Sequence, residues 1–125
     1  MNATVVITTV GNEEQANTLA RELVARRQAA CVNILPGLKS FYRWQGKVCH
    51  DTELMLVIKT RDSEFEAVAA TIRELHNYEL PEILSFGVGR GEERFLAWIA
   101  ESTDKSAPFG DDEEDDEPAF ASDED

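Results

Sequence analysis

His76, Tyr78 and Glu82 lie close together where an apolar helical pattern gives way to a proline-bounded strand. An imidazole beside a carboxylate is the donor set that copper or zinc accepts. One chain offers few further ligands, so a second reading stands beside the first: His76 bonds helix C-terminal carbonyls, and Tyr78 and Glu82 fasten a subunit contact. His50 falls in a strand pattern and is expected to be an exposed polar residue. Nucleophilic chemistry finds no footing, because neither histidine has an elbow of the GxSxG kind nearby. A phosphate cradle at Gly89–Glu93 is opposed by Glu92 and Glu93, which would repel an anion at that helix start. The chain is therefore expected not to be an enzyme.

The net charge of −13 is unevenly spread. Of 25 acids and 12 bases, 11 acids and only Lys105 fall in residues 104–125, leaving 14 acids and 11 bases, a net of −3, for residues 1–103. The body is one domain by length, and the acidic tail is expected to be disordered, having too little apolar surface to offset its ordering entropy. No basic stripe exists to neutralise phosphates, which argues against a nucleic-acid partner. No apolar run approaches the roughly 20 residues that cross a bilayer, and the N-terminus lacks a secretory pattern, so no membrane partner and a cytoplasmic location are expected. Cys31 and Cys49 do not form a CxxC pair. On a continuous ribbon they would lie about 35 Å apart at 3.3 Å per residue, too far for a disulfide.

The elements that must position these residues follow from pattern. Ala3–Val10 is a β-branched run expected to be a central strand. Asn12 and Gln15 form a capping-box pair ahead of Ala16, Leu19, Ala20, Leu23 and Val24, which share one helical face. From Ala30 to Thr60 two β-rich runs flank Gln45-Gly46, a hairpin signal that places Trp44 opposite Lys47, Tyr42 opposite Cys49 and Leu38 opposite Glu53. Pro36-Gly37 predicts a bulge or bend in the first arm. Ser63 and Glu66 suggest a second capping box, and Phe65, Val68, Ala69, Ile72 and Leu75 a helix ending near His76. Pro81 then leads into a strand over residues 83–88, and a short helix runs from about Glu92 to Glu101.

Each hairpin arm is far longer than the usual strand of about five or six residues. Phe41, Tyr42 and Trp44 on its tips and edges would expose apolar surface, and Leu54, Leu56 and Ile58 alternate with Met55 and Val57 so that both faces of the second arm are apolar until Lys59. Helices can cover one face; the other is expected to be covered by another copy of the chain, with Phe41, Tyr42 and Trp44 at the interface. The order is that of an α+β, ferredoxin-like βαββαβ sandwich with a long central ribbon and a short C-terminal helix.

Four segments carry a family resemblance: residues 27–37 (RQAACVNILPG), 40–47 (SFYRWQGK), 53–60 (ELMLVIKT) and 76–83 (HNYELPEI). Together they resemble the CutA family, the divalent-cation tolerance proteins, over about Ala3 to Ile99. The resemblance implies a ferredoxin-like homotrimer assembled through its ribbons, similar to the PII signalling proteins, and a role in tolerance of copper and other divalent ions, with no obligatory cofactor. It implies His76 and Glu82 as metal-site positions. This chain departs from some bacterial members at Thr8, where they carry cysteine, at Leu75, where they carry a second histidine, and at Asn77, where proline is usual. A different class of function, a PII-like small-ligand sensor, would use an inter-subunit cleft lined by Lys59, Tyr78, Glu82 and ribbon aromatics. A trimeric scaffold presenting the tail is a third reading.

Overall fold

In the computed structural model, which describes residues 1–106, the elements run β1 (Ala3–Val10), α1 (Glu13–Ala25), β2 (Cys31–Trp44), β3 (Lys47–Arg61), α2 (Phe65–Leu75), β4 (Leu84–Gly87) and α3 (Glu93–Ser102). Most of the acidic tail therefore lies outside the described residues. The four strands form one antiparallel sheet in the order β2-β3-β1-β4.

The ribbon follows local chemistry. Gln45 and Gly46 both adopt positive φ, 50° and 81°, the two-residue turn whose twist matches that of the flanking strands. Trp44 pairs with Lys47, Tyr42 with Cys49 and Leu38 with Glu53, the pairing that this turn dictates. Between Leu35 and Leu38 the register shifts. Gly37 there has φ 78°, a conformation that costs a side-chain-bearing residue energy, so one extra residue on β2 bends the ribbon without breaking it.

One face of the sheet carries the core. Val6, Val10, Leu56 and Ile58 pack with Leu19 and Leu23 of α1 and Val68 and Ile72 of α2, all fully buried. Asn12 caps α1 by accepting from the Gln15 amide at 2.8 Å. The reciprocal half of the expected capping box is absent: the Gln15 side chain instead donates to the Leu75 carbonyl at 2.8 Å, tying the start of α1 to the end of α2. The second expected box does not form either. Asp62–Glu64 make a 3₁₀ turn and α2 starts without a side-chain cap, because Ser63 is taken into that turn rather than placed before the helix. The last strand is shorter than the apolar run, Leu84–Gly87 against 83–88: these four residues pair in register with Thr4–Ile7 of β1, and Val88 adds a single amide bond to the Ala3 carbonyl at 3.0 Å.

The opposite face is uncovered. Val5, Ile7, Met55 and Val57 are only half-buried there, and Leu35, Leu84 and Phe86 are exposed.

Candidate functional site

The α2–β4 connection leaves the helix side at His76 and passes the end of β1 to reach the sheet edge. Two backbone bonds hold His76: its Nδ1 accepts from the Tyr78 amide at 3.0 Å, so Nε2 carries the proton and donates to the Thr9 carbonyl at 2.7 Å. The His76 and Tyr78 rings lie against each other, centroids 4.5 Å apart. Tyr78 then reaches over Gly11, where a Cβ would come within 3.3 Å of its hydroxyl, and donates to Glu53 Oε2 at 2.7 Å. Burial, and then the bond to Glu53, pushes the Tyr78 phenol above its ordinary value, which keeps it a neutral donor.

The loop and the distal ribbon enclose a cleft of about 810 Å³ lined by Thr9, Lys39, Ser40, Phe41, Tyr42, Trp44, Asp51, Glu53 and residues 77–80 and 82. Tyr42 donates to Asp51, and that bond, with some desolvation, pushes its phenol up to about 12. Two phenol–carboxylate pairs, Tyr42–Asp51 and Tyr78–Glu53, therefore line one cleft together with Glu79 and Glu82. Glu53 is 7% exposed, and no ion pair to it exists among the described residues.

Of the residues the sequence pointed to, Tyr78, Glu82, Phe41, Tyr42 and Trp44 meet in this cleft. His76 lies behind it. In this conformation its one free lone pair is occupied by the Tyr78 N–H, and among the described residues no group of three or more His, Cys, Asp or Glu could hold a metal ion. Lys59 is elsewhere: it pairs with Val5 and Cys31 on the open face, about 20 Å along β3 from Glu53 at 3.3 Å per residue, so one chain does not bring it to Tyr78. Sequence reasoning passed over Glu53 and Asp51. The available signal was an acid at position 53 in the same alternation as Met55 and Val57, where an apolar face would place none. Among the described residues no Ser or Thr hydroxyl and no Cys thiol is bonded to a histidine ring, and no helix is long and apolar enough to cross a membrane.

An antiparallel sheet with helices on one side, an uncovered apolar side, and a cleft of carboxylates and aromatic rings defines a small α+β protein equipped for contact and binding. The family model for the CutA1 divalent ion tolerance protein matches residues 4–102, and the chain belongs to that family. It is 46% identical over 99 residues to the divalent-cation tolerance protein CutA of Thermus thermophilus, covering 79% of this chain and 96% of that one. Against the chloroplastic CutA of Arabidopsis thaliana it is 41% identical over 99 residues, 79% of this chain but 54% of the plant protein. Among solved structures it resembles CutA1 of Oryza sativa with a TM-score of 0.82 at 38% identity, covering 84% and 96% of the two chains. A CutA from Archaeoglobus fulgidus, described as periplasmic, gives 0.80 at 35%, covering 82% and 99%.

Proposed function

We propose that the chain acts in the cytoplasm as a non-enzymatic homotrimer in tolerance of divalent metal ions, copper foremost, contacting the ion weakly through carboxylates of the cleft. Membership of the divalent ion tolerance family carries this reading. Asp51, Glu79 and Glu82 place carboxylate oxygens around one opening; among the described residues they form no cluster of three that could hold an ion, so each offers a single oxygen contact and the binding is weak. The strand order β2-β3-β1-β4 supports a ferredoxin-like unit, and the uncovered apolar face supports assembly. Glu82 is the proposed ion contact from the connecting loop. His76 joins it only by releasing the Tyr78 amide.

Calorimetric titration of Cu(II) into the wild type, Glu82→Gln and His76→Ala tests this. A reduced heat for Glu82→Gln alone, the outcome that the hydrogen bonds of His76 favour, assigns the ion to the carboxylates. Loss in both variants places it between the two residues. No heat in the wild type overturns direct binding.

A further inference from the structure

On one face of strand β3, Glu53 and Lys59, of opposite sign, stand at either end of an apolar pair. Glu53, Met55, Val57 and Lys59 alternate outward on the side away from the helices. Neither charge finds its complement among the described residues. Glu53 is more than nine-tenths buried, and among the described residues its carboxylate receives only the Tyr78 hydroxyl. Lys39, at the cleft's edge, makes no ion pair with it. Lys59 is half-buried, flanked by Val5 and Cys31, and its ammonium makes no hydrogen bond or ion pair among the described residues. The row of apolar side chains around it, Val5, Ile7, Val57, Leu84 and Phe86, has to be covered. Covering it would strip water from the ammonium as well, and a desolvated cation is tolerated only beside an anion.

We propose that the cleft is completed by a second copy of the chain, whose Lys59 ammonium enters it and pairs with Glu53 beneath Tyr78. This deepens the assembly reading above and rests on it. In a closed ring of identical chains each subunit gives its Lys59 to one neighbour and receives another at its own Glu53, a head-to-tail contact that repeats at every interface. The aromatic rings of Phe41, Tyr42 and Trp44 at the cleft suit the arrival of a lysine, since they can cover its methylene stem while the carboxylate takes its head. The apolar pair Met55 and Val57, between the two charges, sets the offset by which one copy is displaced against the next.

The test is a charge swap in the full chain, read by light scattering and by the concentration dependence of assembly. Glu53→Lys and Lys59→Glu should each weaken association roughly thirtyfold or more. The double variant Glu53→Lys/Lys59→Glu should recover most of that loss. Because Glu53→Lys alone can disturb folding, the milder cycle of Glu53→Gln, Lys59→Met and their combination is measured alongside: the combined variant should melt close to the worse single one. A double swap no better than either single variant, together with additive losses in the neutral cycle, overturns the pairing while the assembly stands. A wild type of monomer mass overturns the assembly itself.

Discussion

The helix-covered half of the sheet and the distal half of the ribbon are made from the same strand, β3, yet they solve opposite problems. Toward its C-terminal half Leu56 and Ile58 are fully buried among Leu19, Leu23, Val68 and Ile72. Toward the turn, Phe41 and Val48 are each 69% exposed, and the arms are held by backbone pairing, a glycine turn and a bulge, with little apolar cover. A core closes where helices are within reach. Beyond their reach the strand keeps its shape but leaves its side chains available, and the cleft forms at the border, where the Tyr78–Glu53 bond joins the connecting loop to the ribbon.

The contrast can be broken from its stable side. Leu56→Ala should lower the unfolding free energy by about 2–5 kcal/mol, measured by urea denaturation, whereas Val48→Ser near the turn should stay within about 0.5 kcal/mol. Equal effects would mean that the two halves are not distinct. At the border, Tyr78→Phe removes the hydroxyl that donates to the buried Glu53 carboxylate and should cost about 1–3 kcal/mol, with the circular dichroism of the folded chain unchanged. Inside the base, Thr8 has a buried hydroxyl with no hydrogen-bond partner among the described residues. Thr8→Val should therefore stabilise the fold by about 1 kcal/mol, seen as a higher melting temperature.

The smallest effect is spectroscopic. Both tyrosines have phenols raised above the ordinary value of 10.0. A raised folded value means that the bonds contribute stability below pH 10 and that this contribution fades as pH climbs through the folded value, about 12 for Tyr42. Tyrosinate absorbance of the native chain should lag that of the denatured chain at pH 10, and Tyr42→Phe should leave a single, later-titrating phenol. Titration of both groups near 10 in the native chain would dissolve the two phenol–carboxylate pairs.

Much of the architecture was legible in the sequence because its signals are local. Gln45-Gly46 fixes a turn, the turn fixes the pairing of Trp44 with Lys47 and Tyr42 with Cys49, and Pro36-Gly37 marks the bulge. The cleft was only half legible. Tyr78, Glu82 and the ribbon aromatics were singled out, but their meeting with Glu53 and Asp51 depends on the route of the α2–β4 loop past Gly11, which no short motif specifies. The same holds for His76: its chemistry suggested a ligand, while its neighbours give both ring nitrogens to the backbone. Ser63 carried a cap signature that the preceding 3₁₀ turn absorbed.

The sequence by itself determined the strands, the helices and the length of the ribbon, since turn residues, side-chain alternation and helical spacing act over a few residues. Only the tertiary structure decided that Glu53 would be buried under Tyr78 and that Lys59, on the same face of β3, would find no partner there within the described residues. Both outcomes depend on which face each strand turns toward the helices and on where a loop crosses the sheet end, and those are settled by packing the whole core at once.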